Sequence, residues 1–144
     1  MTFLERALAV GHEMGRADRE LDQIKINVEG SASMLQKARA LGIKVLCGTD
    51  SGNSTLMPYG ELHAHEAEIL VRHGGYTPLE AISACTRDNA FVVGLEDQLG
   101  VLQPGWLADV IILKADPVAD ISVLQGGRNL STVIKDGKVV DLEG

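Results

Sequence analysis

The run Ile43-Lys44-Val45-Leu46-Cys47 constrains this chain more than any other stretch. Gly42 precedes it and Gly48-Thr49-Asp50-Ser51 follows it. A short segment apolar on both faces and bounded by glycine matches a buried parallel strand, with neighbours on either side and helices above and below. Nothing else in residues 1–95 has that pattern. Unpaired ladder groups on both edges would be costly if buried and adhesive if exposed. The expectation is that the chain is the tail of something larger.

The strand delivers one carboxylate, Asp50, at its C-terminal tip. In parallel α/β folds the loops at that end of the strands form the active-site face, and the small Gly48 lets a ligand approach closely. Taken alone, Asp50 suits a turn former or an N-cap equally well.

Composition narrows the classes. The 144 residues carry a formal net charge of -7, with 45% hydrophobic and 23% charged residues. That suits a soluble globular protein with a real core and disfavours a nucleic-acid backbone as partner. Apolar runs of about five residues are far short of a membrane span, and the N-terminus lacks the basic and apolar regions of a signal peptide. Aromatics at 3% argue against stacking platforms. Cys47 and Cys85 lie in no CxxC pair, so two buried, reduced thiols in a cytoplasmic protein are expected.

Periodicity predicts an amphipathic helix over 2–15 with Thr2 and Glu5 as a capping box, buried through Phe3, Leu4, Ala7, Leu8 and Val10. The charged stretch Arg16–Lys25 could continue it, and a clearer helix starts at Ser31 or Ser33 and ends at Gly42. A polar loop, Ser51–Gly60, precedes a helix from Glu61 to about His73. Thr77-Pro78 then caps a short helix through Ala84, and another runs from Arg87 to Val93. Beyond residue 96 the pattern turns to β, with strands expected at 100–102, 108–113, 131–135 and 138–141, and Asp136-Gly137 as a two-residue hairpin turn.

Five segments together carry a resemblance. They are Gly42–Gly52, Gly75–Ile82, Thr86–Leu95, Leu99–Leu113 and Val133–Val140. In this order and spacing they resemble the C-terminal part of the amidohydrolase superfamily, in its prolidase-like and imidazolonepropionase-like branch. The resemblance covers residue 34 to the end, and residues 1–33 fit only loosely. It implies an α/β protein, the C-terminal fragment of a (β/α)8 metal-dependent hydrolase barrel plus part of a small β-sandwich domain. Residues 1–95 would hold the last barrel strand and closing helices, and 96–144 the C-terminal strands of the sandwich. A whole barrel takes about 250 residues.

On that mapping Asp50 is the metal-binding, proton-handling aspartate after the eighth strand. The implied reaction is hydrolysis of amide, cyclic amide or dipeptide C–N bonds by metal-bound hydroxide. The implied cofactor is a divalent metal, zinc first, one or two ions in the parent protein. The family's other ligands would lie upstream, and catalytic zinc needs about three protein ligands. The chain alone is therefore expected to be inactive and to hold no metal. Ser51, Asn53 and Tyr59, in the loop after the catalytic strand, are candidate substrate contacts, although loop polarity explains them as well. His63-Ala64-His65 has the form of the family's metal motif, but on a helix i and i+2 point about 200° apart; solvated helix residues are the plainer reading for His65 and Glu66. Trp106 is expected to pack or lie at the surface, and the resemblance makes Asp109 structural. The expected partner is a small amide or dipeptide, in a homo-oligomer, without nucleic acid or membrane. The rival reading is a non-catalytic, free-standing remnant that serves as a binding or structural subunit.

Overall fold

The computed structural model describes residues 1–52, 57–60 and 62–142. Four α-helices come first: α1 (Thr2–Ala9), α2 (Asp18–Ala40), α3 (His63–Gly74) and α4 (Pro78–Ser83). The chain continues from α4 through a π-helical turn, Ala84–Asp88, into a 3-10 turn, Asn89–Val93. Three antiparallel strands follow, β1 (Val110–Leu113), β2 (Leu130–Lys135) and β3 (Lys138–Val139), in that order across the sheet.

Helix α1 is shorter than its periodicity predicts and gives way to turns over 10–15, beginning beside the poor helix former Gly11. The expected capping box does not form. Thr2 sits inside the helix, buried, and its hydroxyl donates to Glu66 of α3. The Glu5 carboxylate faces His65, Arg72 and His73 instead. Phe3 is 45% exposed rather than buried. Helix α2 is continuous, so the charged stretch and the segment beginning at Ser31 belong to one element. Its Leu21 is buried, and its Leu35 packs against the main core. It ends as expected at Gly42, where Gly42 N–H reaches the Arg39 carbonyl and Ile43 N–H the Ala38 carbonyl.

Helix α4 has the predicted start: Thr77 accepts from Glu80 N–H, and the Glu80 carboxylate accepts from Thr77 N–H at 2.7 Å. Those contacts from Thr77, with Arg39 at 2.9 Å, hold the Glu80 carboxyl below its ordinary value.

Ala67 and Leu70 from α3, Ala81 from α4, Ala84, and Ile121 form the core, with Val45, Cys47, Cys85 and Leu124 packed on it. Ile121 and Leu124 belong to a 3-10 turn, Ile121–Leu124, within the long β1–β2 connection. The sheet is thereby tied back to the helices by a few apolar side chains.

Two strand predictions are corrected. Residues 100–102 form no strand, and residues 43–50 form neither helix nor strand and have no partner strand among the described residues. Val45 and Cys47 reach the core, whereas Ile43 is 56% exposed. Apolar patterning reads as strand, but a ladder needs a second backbone. The cysteine prediction is corrected as well: Cys47 and Cys85 are joined as a disulfide, with Cα atoms 5.3 Å apart.

The hairpin is as predicted. Asp136 and Gly137 have φ of 50° and 74°, as a type I′ turn requires, and Gly137 takes that conformation without strain. Asp109 closes the turn through Lys135 Nζ at 2.6 Å and Asp136 N–H at 2.8 Å, which hold its carboxyl below the ordinary value.

Candidate functional site

Asp50 follows the apolar segment and lies exposed at its end, with φ of 51°. A left-handed backbone is uncommon for a residue with a side chain, though aspartate tolerates it better than most. Beside it, Thr49 Oγ1 lies 3.0 Å from Ser51 Oγ and accepts from Ser51 N–H at 3.3 Å. Gly52 N–H donates to the Met57 carbonyl at 2.6 Å, and Met57 is buried. The Tyr59 ring occupies the space a side chain at Gly52 would need, so glycine is required there. Asp50, Ser51 and Tyr59 thus share one short loop, with Tyr59 79% exposed. Asn53 lies outside the described residues.

What fixes this loop is the backbone just before it. Asn89 accepts from Cys47 N–H through Oδ1 and donates to the Cys47 carbonyl through Nδ2, both at 2.9 Å. Cys85, one turn before Asn89, is bonded to the same residue. Asn89 lies within the Thr86–Leu95 motif, but nothing in the sequence pattern points to this role. No spacing signal pointed to the 38-residue disulfide pairing.

A second polar cluster was also missed. His65 Nε2 lies 2.8 Å from Glu5 Oε2, and His73 Nε2 lies 2.6 Å from Glu5 Oε1, with Arg72 on the same carboxylate. His65 and Glu66 are therefore not solvated helix residues: His65 is only 19% exposed, and Glu66 receives the Thr2 hydroxyl. His63 stands exposed, turned away from His65 as i and i+2 on a helix must be. Burial raises the Glu5 carboxyl, but the hydrogen bond from His73, the charge of Arg72 and the bond from His65 outweigh it and hold the group below its ordinary value.

Among the described residues, no group of three or more His, Cys, Asp or Glu side chains could hold a metal ion. Asp50 alone does not make a metal site. Also among the described residues, no helix is long and apolar enough to cross a membrane.

Residues 3–140 match the model of the amidohydrolase family, and the chain belongs to that family. It is similar to ochratoxinase from Aspergillus niger, 39% identical over 105 residues, which are 72% of this chain and 21% of that protein. Imidazolonepropionase from Ralstonia nicotianae is 36% identical over 104 residues, 72% of this chain and 25% of the relative. In structure the chain is similar to a prolidase-like protein from Bifidobacterium longum, with a TM-score of 0.80 and 32% identity over 96% of this chain and 33% of that one. The chain thus spans about a quarter of the curated relatives it matches and a third of that solved structure. Its fold is that of amidohydrolases, mixed helix and strand.

Proposed function

We propose that this chain is the C-terminal part of a metal-dependent amidohydrolase that cleaves amide, cyclic amide or dipeptide C–N bonds. In this reading residues 1–95 are the last strand and closing helices of a (β/α)8 barrel, and 96–144 are strands of a small β-sandwich. The observation that carries the reading is Asp50 itself. It is an exposed carboxylate in a left-handed turn, directly after an apolar segment clamped to the helices.

A divalent metal, zinc first, would supply Lewis-acid activation of water when bound in the whole protein. This chain contributes one ligand, the Asp50 carboxylate, so the 144 residues alone hold no stoichiometric metal and turn over no substrate. An Asp50 carboxylate oxygen would take the proton released as water attacks and pass it to the leaving amine. Ser51 and Tyr59, on the same loop, would contact a polar substrate, and Asn53 is proposed with them.

Replacing Asp50 by Asn tests the assignment in the protein that carries this chain together with the rest of the fold. The amide keeps the size but cannot accept the proton and is a poorer metal ligand. Turnover should fall by about 10² to 10⁴ with the fold intact by circular dichroism. A variant that keeps most of its kcat removes Asp50 from the mechanism and favours the non-catalytic remnant.

A further inference from the structure

Asn89 and Cys85 grip a single residue from one side. Four positions apart on a helical path, they project in the same direction. The path is not a regular α-helix there: it is a π-turn over Ala84–Asp88 that tightens to a 3-10 turn from Asn89. Such departures from regular hydrogen bonding recur at functional sites. Here the irregular stretch carries both groups that meet Cys47.

The Asn89 amide clamps both backbone groups of Cys47. Its oxygen takes the Cys47 N–H and its NH2 the Cys47 carbonyl, each at 2.9 Å. Among the described residues, this side chain is the only group that hydrogen-bonds the backbone of residues 44–48. Buried or half-buried backbone groups need partners, and Cys47 is half-buried against the core. The pairing therefore fixes both the height and the rotation of the chain three residues before Asp50. From Cys47 onward only Gly48 and Thr49 intervene, and Thr49 is itself tied to Ser51.

We propose that Asn89 is a positioning residue for Asp50, clamping both backbone groups of Cys47 from the helical side, with the Cys47–Cys85 bond as a second tether. This rests on the reading of Asp50 as the reactive carboxylate. A reacting group displaced by about 1 Å can cost a large factor in rate, so a clamp on its approach is a functional element although it touches no substrate.

Two measurements separate the clamp from the function. The first is amide hydrogen exchange of Cys47 in the protein that carries this chain together with the rest of the fold, compared among the native sequence, Asn89→Ala and Asn89→Leu. Both variants should exchange Cys47 N–H about tenfold faster, the loss expected for one hydrogen bond, while Val133 of β2 keeps its rate. Leucine fills the volume without the amide, so a Leu variant that protects Cys47 like Asn would show packing rather than pairing and overturn the proposal. Unchanged exchange in the Ala variant would overturn it too.

The second measurement is kinetic, in the protein carrying the rest of the fold. Asn89→Leu should lower kcat about tenfold with KM within about twofold, the mark of a group felt in the transition state rather than in binding. Full kcat in Asn89→Leu, beside a dead Asp50→Asn, would sink the positioning role. If Asp50→Asn itself keeps its turnover, the functional reading fails, and the exchange data still decide whether the clamp exists.

Discussion

Two segments of this chain, 43–50 and 130–139, are both rich in apolar residues and meet opposite fates. In the second, β2 and β3 pair across a two-residue turn, Ile134 opposite Val139 and Lys135 opposite Lys138, with β1 on the far side of β2. Every partner lies within 30 residues, and the turn fixes the register. The first segment has no backbone ladder among the described residues and relies on one asparagine side chain and one disulfide. A hairpin carries its own partner in the local sequence. A parallel strand depends on backbone that arrives from far away.

The same contrast explains what could be read from the residues. Asp136-Gly137, Thr77-Pro78 and Gly42 each act within a few positions, and all three stand as predicted. Thr2 and Glu5 have the same kind of local pattern, yet partners 60 or more residues away claim both side chains. The Asp50 loop was legible because a glycine-bounded apolar run ends there. The Asn89 clamp and the Glu5 cluster were not, because both depend on how helices dock, and the helical period names faces rather than partners. Membership of the amidohydrolase family was legible from motif order and agrees with the family match over residues 3–140.

The long-range contacts offer the largest effect on stability. Glu5→Gln keeps an acceptor but removes the charge that His65, His73 and Arg72 surround, and it should cost about 2 kcal/mol in urea unfolding. The sign with pH is fixed. Because the folded Glu5 value lies below the unfolded one, its contribution is present above about pH 4.3 and is lost as pH falls through the lowered value. The gap between native and variant should therefore close in acid. A gap that is constant from pH 7 to pH 3 would mean the cluster holds α1 on α3 by packing alone.

A smaller effect is expected in the hairpin. A side chain at Gly137 would meet nothing within 4 Å, so only the left-handed backbone opposes it. Gly137→Ala should cost about 1 kcal/mol and leave the Cys47 amide unaffected. Faster exchange at Cys47 in this variant would show that the two segments are not independent.

The central claim is that segment 43–50 is built for strand neighbours that it does not have among the described residues. Ile43 at 56%, Ile111 at 51% and Val139 at 72% exposure, with Phe91, Val92 and Val93 also exposed, are apolar side chains that a contact with another chain would cover. Sedimentation of the isolated chain at micromolar concentration is the most direct test. The account predicts oligomers or aggregates, joined through 43–47 or the 108–113 edge. A cooperatively melting monomer would contradict it, because the chain would then have a self-sufficient fold and the free-standing remnant would replace the hydrolase fragment.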